Sequence, residues 1–284
     1  MAIDFTLTPE LDELRLRIRA FVDDVIKPTE AELTDPDHIE DRAEYLTKLI
    51  GMRTKAQEAG IWLPHMPKEW GGMGLGHVEL AMVQAEAAKA YYGPFVFNCM
   101  APDEGNMHTL LNWATDEQKE RYLRPLCEGT KMSCFAMTEP EVAGSDPTLI
   151  QTTAVQDGDE WVINGHKWFI SNARRAAFAI LICRTEDNPD LPQAANTAFI
   201  VETHWEGWNR VREVETMHGG TGHSEIVIED LRVPNENMLG GRGQGHLLGQ
   251  SRLGPARLAH CMRWIAQAET ALDMMVDRSL HRFA

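Results

Sequence analysis

The amino-acid sequence predicts an α+β fold in which a helical region, a set of short strands and one long helix follow one another along the chain. Three observations predict this order. Apolar residues recur at helical spacing through residues 1–130. From about Met132 the pattern shortens to alternation, with turn residues between the runs. From Ala256 to about Arg278 neither Gly nor Pro interrupts a second helical pattern. These changes divide the chain into an N-terminal helical domain at 1–130, a middle β-domain at 131–240 and a helical segment at 241–284. With 284 residues the chain exceeds the usual single-domain size, which agrees with more than one unit.

The first helix is expected after Thr8-Pro9-Glu10, a cap with Pro at the first helical position, and carries Leu11, Leu14, Ile18, Phe21, Val22 and Val25. A second is expected from about Ile39 to Ala59, stopping at Gly60. GIWLPHMPKEWGGMGLG, Gly60 to Gly76, reads as a rigid loop, and the following HVELAMVQAEAAKAYY is rich in strong helix formers. Thr115-Asp116-Glu117-Gln118 carries a capping signature for a short helix through Tyr122. In the middle domain an apolar run, Met132 to Met137, ends in a turn-rich loop. QTTAVQDGDEWVING then alternates on both sides of Asp157-Gly158, as a hairpin does. AFAILICRT, NTAFIVETHW and HSEIVIEDLRVP supply further strands, and together these runs suggest a compact antiparallel barrel or sandwich. The last helix, with Leu258, Met262, Ile265, Ala266, Ala268, Leu272 and Met275, has no partner within its own domain.

Composition narrows the function. With 43 acidic and 27 basic residues the formal charge is −16, which argues against nucleic acid or an anionic membrane as the main partner. An anionic small molecule needs only a local basic pocket. No apolar run is long enough for a membrane span, and MAIDFTLTPELDELR lacks the apolar core of a signal peptide. The five cysteines are scattered without a C-x-x-C, so thiols in a reducing cytoplasm are expected. Gly241-Arg-Gly243-Gln-Gly245 and Gly72-Met-Gly74-Leu-Gly76 have the wrong spacing for a dinucleotide fingerprint and no βαβ context. The histidines show no ligand spacing, so no metal is assigned.

Three segments remain. FAMTEPEVAGSDPT, Phe135 to Thr148, ends a strand in a loop rich in hydroxyls and backbone amides, because Pro140 stops the ladder and Gly144-Ser145-Asp146-Pro147 turns the chain. NGHKWFISNA, Asn164 to Ala173, places Trp168 and Phe169 before Ser171. RLGPARLAH, Arg252 to His260, puts two arginines at the expected helix start, where they oppose the dipole. Each alone reads as ordinary loop, amphipathic strand or solvated surface. Together they match a redox-active flavin, whose ring edge takes amide or hydroxyl donors, whose face takes an aromatic cover, and whose diphosphate takes cations.

MTEPEVAGSD, NGHKWFISN and the RLGP helix entry resemble the acyl-CoA dehydrogenase family, in family order and over essentially the whole chain. FNCMAPDEGNMHTL, Phe97 to Leu110, is most similar to the branch whose larger members carry a fused phosphotransferase-like domain. The resemblance implies a helical N-terminal domain, a middle β-barrel, the start of a C-terminal four-helix bundle, FAD as cofactor, and a homodimer or homotetramer. It implies that Phe135, Met137 and Thr138 meet the flavin's pyrimidine edge, with Gly144 in the same loop. Phe169 and Ile170 would lie by the ring, and Ser171 would donate towards N5. Ser145 would touch both FAD and the pantetheine arm of an acyl-CoA, Arg257 would hold the CoA portion, and Arg282 would reach the FAD diphosphate of a neighbouring subunit.

The implied reaction is α,β-dehydrogenation of the thioester to a trans-2-enoyl-CoA, as in fatty-acid β-oxidation, with electrons leaving to a separate acceptor protein such as an electron-transfer flavoprotein. Two departures stand out. TEPEVAGSD is one residue longer than the commoner TEPGAGSD, and Ala256 occupies the helix position where one sub-branch carries its catalytic glutamate. The base is therefore expected beyond Ala284. Two alternatives stay open: a non-catalytic flavin- or acyl-CoA-binding subunit that needs a partner, and a flavin oxidase or monooxygenase on the same fold.

Overall fold

The computed structural model describes residues 6–33, 41–187, 190–217 and 222–283. The chain folds as two compact units, one made of 1–100 with 256–284, the other of 101–255.

In the first unit, α1 (Pro9–Phe21) begins as its sequence dictates: Thr8 Oγ1 accepts from the Leu11 amide and Pro9 occupies the first turn. It continues through a π turn that buries Val22 and Ile26 beside Ile18. For α2 (Arg42–Glu58), Asp41 accepts from the amides of Ala43 and Glu44, and the expected start at Ile39 lies outside the described residues. α3 (His77–Ala87) is shorter than its run of helix formers suggests. Gly93 packs against its end so closely that a Cβ there would stand 1.8 Å from the Ala87 carbonyl oxygen, so the chain must turn away. The acid of α3, Glu86, is buried and accepts from Arg19 at 2.7 and 3.0 Å.

The second unit opens with α4 (Asp103–Trp113), a helix that Pro102, Gly105 and Asn106 disguise in the sequence. The Thr115–Gln118 capping box forms as expected. Among the described residues eight strands follow: β1 (Ser133–Ala136), β2 (Thr153–Asp157), β3 (Glu160–Ser171), β4 (Phe178–Arg184), β5 (Asn196–Glu202), β6 (Trp208–Glu213), β7 (His223–Pro234) and β8 (Met238–Leu239). They join one sheet in the order β6-β7-β3-β2-β4-β5-β8, with β1 paired to β4. The β2–β3 hairpin turns at Gly158, where φ is +63°. Unlike the purely antiparallel barrel or sandwich expected from the sequence, β1 and β2 both meet β4 in parallel.

The sheet is strongly rolled. β3 and β5 are separated by two strands, about 14 Å in a flat sheet, yet Trp161 and Phe199 stack with ring centroids 5.3 Å apart. One apolar core of side chains from β1 to β7 fills the interior.

The last helix, α5 (Gly245–His281), starts eleven residues before the expected Ala256. Its Gly245 does not break a helix; a Cβ there would stand 2.9 Å from the backbone of Asn196 and Thr197, so the glycine permits close packing. Residues of α5 up to Pro255 belong to the second unit and the rest to the first. Among the described residues no helix is long and apolar enough to cross a membrane.

Candidate functional site

The loop that ends β1 is tied to β3 by a buried ion pair. Lys167, fully buried on β3, donates from Nζ to Glu139 Oε1 at 2.8 Å and to the Met137 carbonyl at 2.9 Å. The Glu139 carboxylate also accepts from the amides of Gln151 and Thr152 and from Thr152 Oγ1. Burial raises the Glu139 carboxyl, but the Lys167 ammonium and these hydrogen bonds outweigh it and hold the group below the ordinary carboxylate range. Burial lowers the Lys167 ammonium while Glu139 opposes it. Gly165 leaves room for this arrangement, since a Cβ there would stand 2.3 Å from Thr152 Oγ1.

The Trp168 amide donates to the Thr138 carbonyl at 3.0 Å, so Thr138 runs alongside the Trp168-Phe169 pair. Gly144 closes on the same residue, with its Cβ position 3.0 Å from Thr138 Cγ2. Glu141 pairs with His166 Nδ1 at 2.7 Å, and His166 Nε2 reaches Glu225 at 2.9 Å.

At Phe169 the ladder is broken deliberately. Lys167 faces Ile226 and Ile170 faces Ser224, so β3 spends one more residue than β7 over this stretch. That is a β-bulge, and Phe169 sits in it at φ +51°, a conformation that costs a bulky residue about 1–2 kcal/mol. The result is a ring left 43% exposed, edge-on to Trp168 at 4.8 Å. Ile170 returns to the sheet core at 1% exposure, so only its main chain can meet a ligand. Ser171 regains the ladder opposite His223, and its Oγ lies 2.9 Å from His223 Nδ1. The His223 ring also stands 6.2 Å from Phe169.

Phe135, on β1, lies under a cation. Arg252 Cζ is 4.3 Å from its ring centroid, and the guanidinium donates to Asn106 Oδ1 at 2.9 Å and to the Pro102 carbonyl at 3.2 Å. Burial lowers this guanidinium to about 10, against the pull of Glu104 and Asp103. Arg252 therefore does not open the helix, as the sequence suggested, but works inside it as a partly buried anchor.

The structure thus gathers Met137, Thr138, Gly144, Phe169 and Ser171, with Phe135 at the root of the loop. Ser145 is exposed on that loop. Arg257 and Arg282 belong to the helical unit, both exposed. Glu139, Lys167, Thr152 and His223 join the site although the sequence pattern pointed to none of them, and Arg252, expected as a cation at a helix start, packs on Phe135 instead. The one available signal was Lys167, a charge between Gly165 and Phe169 on the inward phase of an otherwise apolar strand.

Residues 8–130 match the model of the acyl-CoA dehydrogenase N-terminal domain, and residues 134–231 that of the acyl-CoA dehydrogenase middle domain. The chain is 35% identical over 292 residues to human "Acyl-CoA dehydrogenase family member 11", covering 99% of this chain and 37% of that protein. It thus spans little more than a third of that relative's length. It is 35% identical to "Probable acyl-CoA dehydrogenase FadE2" of Mycobacterium tuberculosis, over 99% of this chain and 70% of that protein. The solved structure of butyryl-CoA dehydrogenase from Megasphaera elsdenii superposes with a TM-score of 0.81 at 28% identity, over 99% of this chain and 72% of that one. With two family domains matched in succession and 35% identity to these relatives over 99% of this chain, this chain belongs to the acyl-CoA dehydrogenase family.

Proposed function

We propose that this chain holds FAD and an acyl-CoA thioester for α,β-dehydrogenation, with release of a trans-2-enoyl-CoA. The observation that carries the reading is the bulge: it exposes an aromatic ring two residues before the Ser171 hydroxyl, beside a strand position whose amide, on Trp168, holds the Thr138 carbonyl. A flat ring with hydrogen-bonding edges fits that set, and a bulky residue held at positive φ with its ring in solvent is the kind of strain found at functional sites. When bound, FAD supplies the acceptor for a hydride from the substrate's β-carbon.

The chain's own residues then position the partners. Thr138 and the backbone of Phe135 and Met137 meet the ring edge, Phe169 covers a face, and Ser171 offers its hydroxyl near N5. Ser145 and Gly144 lie on the loop that passes the cofactor and the pantetheine arm, Arg257 holds the CoA portion, and Arg282 serves the FAD of a neighbouring subunit in a homodimer or homotetramer. Lys167 and Glu139 exclude water behind the loop and fix it. The α-proton must leave to a carboxylate, and the proposal assigns that role to no residue of this chain. Electrons pass on to a separate acceptor protein.

The test is the double substitution Thr138→Ala, Ser171→Ala in the full-length protein. Loss of two hydrogen bonds of about 1 kcal/mol each corresponds to about thirtyfold weaker FAD binding. Equilibrium dialysis or flavin fluorescence measures it, and unchanged affinity would remove the flavin edge from this loop.

A further inference from the structure

We propose that His223 is a positioning residue that sets the direction of the Ser171 hydroxyl hydrogen, and so decides whether Ser171 can donate to or accept from the flavin at N5. The inference rests on the flavin reading above. It starts from one contact, Ser171 Oγ to His223 Nδ1 at 2.9 Å, between residues that face each other in the β3–β7 ladder.

A serine hydroxyl has one hydrogen and two acceptor sites, and a neutral imidazole carries its proton on one nitrogen only. Two arrangements are therefore possible and they exclude each other. With the proton on Nδ1, His223 donates to Ser171 Oγ, and the serine's own hydrogen is free to point at a third group. With the proton on Nε2, Ser171 donates to Nδ1 and has only lone pairs left to offer.

These two states match the two forms of a flavin. Oxidised N5 is an acceptor and suits the first; reduced N5 carries a hydrogen and suits the second. The pair can reverse without any backbone movement. A lone serine can also rotate, but its hydroxyl would have no partner to direct it.

The surroundings hold the histidine in place for this task. The Val214 amide donates to the His223 carbonyl at 2.7 Å, and the Asn172 amide donates to the Gly222 carbonyl at 3.1 Å, so main chain on both sides of the ladder fixes residue 223. The ring contact to Phe169 at 6.2 Å, tilted 64°, places the imidazole beside the bulge rather than away in solvent.

The experiment uses the full-length FAD-bound protein and compares His223→Phe, His223→Asn, His223→Gln, Ser171→Ala and the double change His223→Phe, Ser171→Ala. The readouts are the visible absorption bands of the flavin, its midpoint potential in anaerobic titration, and FAD affinity. His223→Phe keeps the ring contact and removes the nitrogen. It should shift bands and potential in the same sense as Ser171→Ala, and weaken FAD about fivefold.

Added to Ser171→Ala, His223→Phe should change nothing further, because the hydroxyl through which it acts is gone. His223→Asn puts an amide near the place of Nδ1 and should return most of the effect. His223→Gln puts one near Nε2 and should not. If His223→Phe does not fold by circular dichroism, the Asn and Gln variants alone decide.

The inference is overturned, with the flavin reading intact, if Ser171→Ala shifts the spectrum while His223→Phe leaves it unchanged, or if the two effects simply add. If Ser171→Ala itself changes neither spectrum, potential nor affinity, the flavin edge assignment falls and the inference falls with it.

Discussion

His166 bridges two carboxylates from distant parts of the chain. It stands between Glu141, in the loop after β1, and Glu225 on β7, which also pairs with Arg212 at 2.6 Å. Partial burial lowers the imidazole, but the hydrogen bonds and charges of the two carboxylates outweigh it and raise the group above its ordinary 6.5. A base whose folded value is raised contributes stability that is complete below the unfolded value and is lost as pH rises through the folded one. Loop attachment through His166 is therefore strongest in mild acid. An NMR titration should place His166 above 6.5, and Glu141→Gln should bring it down. A His166 that titrates identically in both proteins would show the pairing to be idle. At this scale the sequence was half legible. Thr138 and Ser171 stood out as hydroxyls closing apolar runs, whereas Glu139 read as part of a turn and Lys167, although on the inward phase of β3, as one charge of an amphipathic strand. Only register and packing reveal that both charges are buried.

The element that organises the site is β3. Twelve residues long, it pairs with β2 on one side and β7 on the other, and it changes register between Ile163 and Gly165 and again between Lys167 and Ile170. The first irregularity lies beside the contact of Gly165 with Thr152, and the second exposes Phe169. Gly165→Ala should therefore act on the loop as well as on the strand. A methyl group 2.3 Å from Thr152 Oγ1 forces apart the hydroxyl that holds Glu139. Overpacking of this kind costs about 1–3 kcal/mol, to be read by urea denaturation, with FAD affinity falling in step. Full stability in this variant would mean that β2 and β3 yield freely at this point. Long alternating strands and the Gly158 hairpin were plain in the sequence. β6 was not, because Asn209, Arg210 and Arg212 are exposed polar positions on an edge strand and read as loop. α5 was legible only from Ala256 onward, since Gly249, Gly254 and Pro255 hide a helix that packing sustains.

For the whole molecule, the residues after Ala256 pose the question of solubility. Leu258, Trp264, Ile265, Leu272, Met275 and Leu280 are 50–74% exposed. Burying one such side chain is worth about 1.5–3 kcal/mol, so this stretch is an adhesive surface in residues 1–284 expressed alone. Sedimentation velocity should show concentration-dependent association, reduced by Leu272→Glu together with Met275→Glu. A fragment that stays monomeric at every concentration would contradict this. The helix-strand-helix order and the family were legible from pattern and motif, but the parallel pairing of β1 and β2 with β4 was not. Alternation says which face of a strand is inward and nothing about its neighbour. That pairing also has a consequence in time. Thr138 and Ser171 leave the ribosome early, yet Ser171 finds its partner only in His223, 52 residues later, and β1 finds its own only in β4. Contacts so distant in sequence form slowly and late. A nascent chain that ends before β7 already carries the loop, the aromatic pair and the hydroxyls, but has no strand against which Ser171 can be aimed. The candidate site thus has no local precursor: it comes into being with the finished sheet.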